Sequence, residues 1–452
     1  MKTFMEEYGL IVVAVIIIML FVFSGKYIGT GLKDGVKQTV DTFTGVMTAD
    51  AAGDSESEGS DEEAGAGDTV ESEKEKYVMT TGVKFQAMIN SVKPSITEVE
   101  FVNEIPDLSG KTNWDVSDQQ NESVMAWLDG TKMYIGSNGI TTANENSKTL
   151  FSLFENTTSI EFNNNFDTSN VKNMSNMFYF CQELTSLDVT SFNTNNVTDM
   201  SNMFYNCNTL TSLDVTNFNT DNVTNMAGMF GQCISLTSLD VTNFNTNNVT
   251  DMNNMFDSCR VLTGLDVSHF NTSNVTNMAS MFASCNAMSE FILTNFNTEK
   301  VEDMSDMFAG CDVLTTIDLS SFNTSNVKDM SAMFGECEKL TTLTLSGNFK
   351  TSNVQSMIRM FYLCRSLASV DLSGFDTTNV QNMTQMFSSC RKLQATMTIK
   401  GNNCTKYTQM FGGACNYSTS SFVLYGDGTN ETLINNMIAT AGSGKVSYGG
   451  VQ

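Results

Sequence analysis

The segment FNTNNVTDMSNMFYNCNTLTSLDVTN, residues 192–217, decides how this chain is read. FNTDNVTNMAGMFGQCISLTSLDVTN, residues 218–243, follows at once and matches it position by position. Phe166, Phe192, Phe218, Phe244, Phe270, Phe296 and Phe322 recur every 26 residues; the series continues at Phe349 after a one-residue insertion, then at Phe375. Within one unit the apolar positions are Val197, Met200, Met203, Phe204, Cys207, Leu210, Leu213, Val215 and then Phe218. The first five, spaced 3, 3, 1 and 3, predict one face of a helix or 3₁₀ turn. Leu213 and Val215 alternate with Ser212, Asp214 and Thr216, the period of a strand with one buried face.

One strand and one helical turn per 26 residues fall within the leucine-rich-repeat range. Nine apolar side chains at about 1.5–3 kcal/mol each offset only part of the cost of ordering such a unit, so a coil needs neighbours. Stacking supplies them: strands pair in a parallel sheet, the core becomes continuous, and the ends must differ from the middle. SLFENTTSIEF (152–162) reads as a degenerate first coil. Beyond residue 400, SSFVLYG and KVSYGG are expected to close the sheet and NETLINNMIATA to cover it. The fold class is therefore α/β, a repeat solenoid with a parallel β-sheet over 150–415 and a C-terminal cap over 416–452. Residues 77–149 form a non-repetitive N-terminal cap: GVKFQAMINSV is expected as a helix, ITEVEFV as a strand, and VMAWLDG with TKMYIG as a hairpin.

Ahead of the cap, GLIVVAVIIIMLFVFS opens an apolar run over 9–28, long enough to cross a bilayer if Lys26 snorkels. A transmembrane helix or signal anchor is the first reading and a cleaved signal peptide the second, with 1–8 and 29–49 as flanks. Lys26, at the C-terminal end of the run, and Lys33 and Lys37 beyond it outnumber Lys2 ahead of it, a bias toward a cytoplasmic C-terminal side. Long domains translocate regardless of nearby charge, and an extracellular repeat domain on a single-pass membrane protein is the expectation here. Residues 50–76 hold 11 acidic residues against two lysines and read as a self-repelling linker. The linker supplies −9 of the net charge of −26, and that acidic balance argues against a nucleic-acid partner.

The pattern FNTxNVTxMxxMFxxCxxLTSLDVT closely resembles the BspA-like leucine-rich-repeat proteins of bacterial surfaces, over about residues 113–415, and VMAWLDG is similar to what precedes the repeats in that family. The resemblance implies a right-handed β/α solenoid and a role in adhesion to host matrix proteins, host cells or other bacteria. MEEYGLIVVAV, with Glu7 and Tyr8 ahead of the apolar run and Gly29, Gly31 and Phe43 behind it, resembles the hydrophobic segment of Flp-type pilins. That likeness implies an alternative role, a structural subunit of a pilus-like filament that displays the solenoid.

Candidate chemistry is sparse. Cys181, Cys207, Cys233, Cys259, Cys285, Cys311, Cys337, Cys364 and Cys390, extended by Cys415, form a column of small core residues, expected about 5 Å apart. Cys404 stands outside it and is a candidate to pair with Cys415. Asp188, Asp214, Asp240, Asp266, Asp318 and Asp371 form an exposed strand-side column. The Asn column (Asn170, Asn196, Asn222, Asn248, Asn274, Asn326, Asn353, Asn379) and the Thr two positions earlier are expected to satisfy turn backbone. Phe192, Met203, Phe204, Cys207, Leu213 and Asn196 are structural residues of the example coil. His269, the one histidine, stands at a turn position with no apparent partner. No catalytic triad, phosphate loop or zinc signature is present, so the chain is read as a non-enzyme with no cofactor and no metal. Ligand contacts are instead expected where the monotony breaks. Ile292 takes the Asp position, Glu290 the Ser position and Lys300 the Asn position of one coil, and Arg359, Arg365 and Arg391, with Lys392, make the last coils basic.

Overall fold

A 26-residue coil must satisfy its backbone donors and acceptors either within itself or against the next coil, and here it does both. The computed structural model describes residues 77–452 apart from 346. The expected anchor at 9–28, its flanks at 1–8 and 29–49, and the acidic linker at 50–76 lie outside the described residues. Among the described residues no helix is long and apolar enough to cross a membrane.

The helix or 3₁₀ turn expected of the Met-x-x-Met-Phe-x-x-Cys run does not form. Consecutive tight turns take its place, and two α-helices, both in the end structures, are the α-helices of the described residues. Within one coil the amides of Met177, Tyr179, Cys181 and Leu184 donate to the carbonyls of Met174, Asn176, Phe178 and Cys181 at 3.1–3.3 Å. The alternate amides of Met174, Asn176, Phe178 and Phe180 point along the solenoid, to the carbonyls of Asp199, Ser201, Met203 and Tyr205 at 2.8–2.9 Å. Half the donors therefore close turns and half bind the next coil, whereas a helix would spend nearly all of them internally. This alternation requires positive φ at two residues per coil: Asn176 and Phe180, Asn202 and Asn206, Gly228 and Gln232, and so on to Gln409 and Gly413. The apolar spacing is compatible with either conformation; the stack chooses the one that bonds coil to coil.

The same side carries an unbroken ladder of parallel bridges, Asn146 to Asn173, Asp199, Asn225, Asp251, Asn277, Asp303, Asp329, Ser356, Asn382 and Lys406. Most of these residues also start the turn run, with Asp199 Oδ1, for example, accepting from the Ser201 amide at 2.9 Å. Inside, Phe178, Phe204, Phe230, Phe256, Phe282, Phe308, Phe334, Phe361, Phe387 and Phe411 stack ring on ring at 5.4–6.0 Å. Ring centres in this column thus lie slightly farther apart than the 5 Å expected of the strand spacing.

The N-terminal structure comprises α1 (Gly82–Ile89), β1 (Glu98–Val102), β2 (Asn113–Asp115), β3 (Met125–Asp129), β4 (Lys132–Gly136) and β5 (Thr141–Thr142). Thr81 Oγ1 caps α1 by accepting from the Lys84 amide. β6 (Ser159–Glu161), β7 (Phe166–Asp167) and β8 (Ser186–Leu187) belong to the first coils. The main sheet runs β2-β3-β4-β1-β6-β8, so β1 joins the hairpin to the array. Met133, Val99, Ile160 and Leu187 lie opposite one another across it and are all buried, which carries one core from the cap into the solenoid.

The parallel sheet is not continuous. β9 (Thr316–Leu319) pairs with β10 (Thr342–Leu345), but the four coils before them, through Leu293, form no strand on this side among the described residues. At the far end β11 (Gln394–Thr398), β12 (Ser421–Gly426) and β13 (Val446–Val451) make a parallel sheet, and α2 (Glu431–Ile438) buries Ile434 and Met437 beside it.

Candidate functional site

The strand-side aspartates are built into the turn that follows each strand position. Asp188 Oδ1 accepts from the Thr190 amide at 2.9 Å and from its hydroxyl at 2.6 Å. Asp214 and Asp240 repeat this with Thr216 and Thr242. Asp266, Asp318 and Asp371 accept from the amides of Ser268, Ser320 and Ser373 at 2.9 Å. The hydroxyl and amide two residues on hold the carboxyls of Asp188, Asp214, Asp240, Asp266 and Asp371 below the usual range, outweighing the repulsion that Asp188, Asp214 and Asp240 feel from the next aspartate along. These groups are thus a row of negative charges, each held in place by the residue two positions on.

Ile292 interrupts the row and is 56% exposed. Its neighbour Phe291 occupies a leucine position and packs its ring against Phe282 and Phe308 at 4.8 and 5.4 Å. Glu290 is exposed on the same strand position two residues earlier. Lys300 is not gathered with them by any contact; its Nζ donates to Asn274 Oδ1 at 2.7 Å, within the Asn column it interrupts.

That column is a backbone clamp. The side-chain amides of Asn196, Asn222, Asn248 and Asn274 each donate to a carbonyl of the preceding coil at 2.8 Å, Asn196 to Ser169. The threonines two positions earlier do more: buried Thr194 Oγ1 donates to the Asn219 carbonyl at 2.9 Å and accepts from the Asn219 amide at 2.8 Å. A second column, Asn217, Asn243 and Asn295, donates to Thr190, Thr216 and Ser268. His269 falls at a position of this column and sets its ring edge-on to Phe270 at 5.0 Å. Phe192, Met203, Phe204, Cys207 and Leu213 are core residues, none more than 6% exposed.

Every cysteine is free and buried, Cys404 and Cys415 included. Cys207 Sγ donates to the Phe178 carbonyl at 3.3 Å, and the bond recurs down the column as far as Cys390. Burial pushes these thiols up, that of Cys181 to about 12. Nucleophilic or redox chemistry needs the opposite shift. Among the described residues no three His, Cys, Asp or Glu side chains group to hold a metal ion. An open cleft of about 510 Å³ near the C-terminal end is lined by Thr405, Tyr407, Thr408, Gln409 and Thr440, hydroxyls and an amide with no acid or base among them.

The three arginines sit in different surroundings. Arg359 Nε donates to Gln385 Oε1 at 2.7 Å with its guanidinium 5.2 Å from the Tyr362 ring centre. Arg365 pairs with Glu338 at 3.3 Å, and Arg391 is exposed.

Sequence reasoning overlooked the turn-side polar groups. From Asn173 to Asp303 the bridge ladder alternates neutral and charged, Asn173, Asp199, Asn225, Asp251, Asn277 and Asp303, which keeps those carboxylates two coils apart until Asp329 follows Asp303 in the next coil. Asp257 lies on that side, where burial pushes its carboxyl up to about 6 against the Ser258 and Gln232 hydrogen bonds that lower it. The alternation was visible in the sequence; the burial of Asp257 was not.

No match is found among curated proteins. Two solved structures are similar. A leucine-rich repeat protein from Eubacterium ventriosum is 14% identical, over 68% of this chain and 96% of that one, with a TM-score of 0.29. The functional domain of InlJ from Listeria monocytogenes, which includes a cysteine ladder, is 16% identical over 61% of this chain and 64% of that one, with a TM-score of 0.17. Both superpose poorly, so the solenoid assignment stands on this chain's own coil-to-coil bonding. A family model matches residues 148–265, 258–344 and 314–422, which together span the repeat array and more than half of the chain. The chain therefore belongs to the family described as Mycoplasma protein of unknown function, DUF285.

Proposed function

We propose that this chain is a cell-surface adhesin or receptor, held to the membrane through its N-terminal apolar segment, with the solenoid on the extracellular side. Its partners are extracellular macromolecules: a host matrix protein, a host cell surface or another bacterium. The observation that carries the reading is the strand-side row, in which each aspartate accepts from the amide of the Thr or Ser two positions on. Such a face offers the same weak contact at six of the eight coils from Asp188 to Asp371 and gains strength by repetition, which suits an extended or repetitive partner. Carboxyls held low stay ionised and transfer no protons near neutral pH, so the row fits binding rather than catalysis. Ile292, apolar and exposed within it, marks the place for an anchor contact. The resemblance to BspA-like surface proteins supports the same reading.

Two measurements test it. Protease added to intact source cells should remove the repeat domain; protection until lysis would refute an extracellular location. Replacing Asp214, Asp240 and Asp266 together by Asn should cut adhesion to immobilised matrix protein or cells far more than any single replacement. Unchanged adhesion in the triple variant would remove the strand side from the binding surface.

A further inference from the structure

A chain with a net charge of −26 gathers several cations at one corner of its C-terminal end. Arg365 follows Cys364, Arg391 and Lys392 follow Cys390, and Asn416 and Tyr417 follow Cys415, so stacking sets these positions above one another. The register is held by backbone bonds: the Cys415 amide donates to the Cys390 carbonyl at 3.1 Å, and the Asn416 and Tyr417 amides donate to the Arg391 carbonyl at 3.0 and 3.2 Å. Tyr417 is 50% exposed, with Lys392 Nζ 5.7 Å from its ring centre. Lys445, arriving from the cap just before β13, donates to the Tyr417 carbonyl. Arg365 leaves its buried Nε without a partner while its Nη1 reaches Glu338.

Of the acids on these coils, Glu338 pairs with Arg365 and Asp376 with Lys400 at 3.3 Å; Asp371 and Asp427 keep their charge while accepting from the Ser373, Gly401 and Thr429 amides, and Glu336 is exposed on the coil before. Among the described residues no carboxylate lies within ion-pair distance of Arg391, Lys392 or Lys445.

We propose that this corner is a docking surface for an anionic polysaccharide whose rings carry sulfate or carboxylate groups. Arg365 and Arg391 follow the column cysteines of successive coils, and Lys392 and Lys445 flank Tyr417, so the cations extend over more than one coil and match a polyanion better than a single ion. Arginine forks take sulfate or carboxylate oxygens two at a time. The exposed Tyr417 ring offers a face on which the C–H side of a sugar ring lies flat, a use an acidic peptide backbone does not have. Duplex nucleic acid is disfavoured because so few cations release few counterions, and the rest of this acidic chain repels the remainder of a long duplex. The corner is separate from the strand-side aspartates, so either assignment can fail without the other.

The test titrates the full chain against immobilised heparin at several salt concentrations, with polyglutamate, duplex DNA and neutral dextran as comparators. Heparin should bind with an affinity that falls as salt rises, and the Arg391→Gln/Lys392→Gln variant should bind at least about tenfold more weakly with a shallower salt slope. Tyr417→Ala should weaken heparin binding several-fold. Lys328→Gln, a paired surface lysine elsewhere, should change nothing. Lys445→Gln alone gives a second reading should the double variant fold poorly. No heparin binding, undiminished binding in both corner variants, or equally tight binding of polyglutamate or DNA would overturn the proposal.

Discussion

Replacing Thr246 by Val tests whether the buried threonine column holds the coils together through hydrogen bonds or merely fills space. Thr246 is 2% exposed; its Oγ1 donates to the Asn271 carbonyl at 3.0 Å and accepts from the Asn271 amide at 2.8 Å. Valine has nearly the same shape and leaves both backbone groups without a partner. An unsatisfied buried group costs about 1–3 kcal/mol. The Asn271 backbone is only partly buried, so the two together should cost about 2–3 kcal/mol, against less than about 1 kcal/mol gained from the added methyl. Thr246→Ser keeps both bonds, loses one methyl and should cost about 1 kcal/mol. The expected stability order is Thr, Ser, Val, whereas packing alone would rank Val above Ser. Urea unfolding followed by far-ultraviolet circular dichroism gives the order. Amide hydrogen exchange then locates the loss, which should centre on the two coils joined at Asn271, since solenoid coils lean mainly on their neighbours. A valine variant as stable as the parent, or more stable than the serine variant, would refute the argument.

Two further outcomes follow from titratable groups. Burial raises the folded-state Asp257 carboxyl to about 6, above its unfolded value, so ionising it costs stability as pH rises from about 4 to about 6. Asp257→Asn should therefore stabilise the protein by about 2–3 kcal/mol at pH 7 and by almost nothing below pH 4; equal effects at both pH values in thermal melts would exclude the burial penalty. The eleven cysteines, free but buried with raised thiols, should resist maleimide in the folded chain at pH 8 and all label in urea. Cys404 and Cys415, in the last coil, should react first on partial unfolding, and rapid native labelling of Cys259 would contradict the stack.

Much of this protein is legible in the residues taken one coil at a time. The phenylalanine period, the Leu213 and Val215 alternation, the asparagine and threonine columns and the closing segments near 421–451 each depend on local spacing and side-chain chemistry, which a single sequence carries. Side chains at 3, 3, 1 and 3 spacing must share a face, and that much held for Val197 through Cys207. The backbone beneath them was a different matter. A helix and a run of turns can both bury Met200, Met203, Phe204 and Cys207, and the choice between them falls to the alternate amides that bond Asn202 and Phe204 to the next coil. No window of one coil contains that partner. The same holds for the gap in the strand pairing, the burial of Asp257 and the meeting of Arg391, Lys392 and Lys445 about Tyr417. Each depends on groups 22 or more residues apart made neighbours by stacking, and only the assembled solenoid brings them within hydrogen-bonding or Coulombic reach.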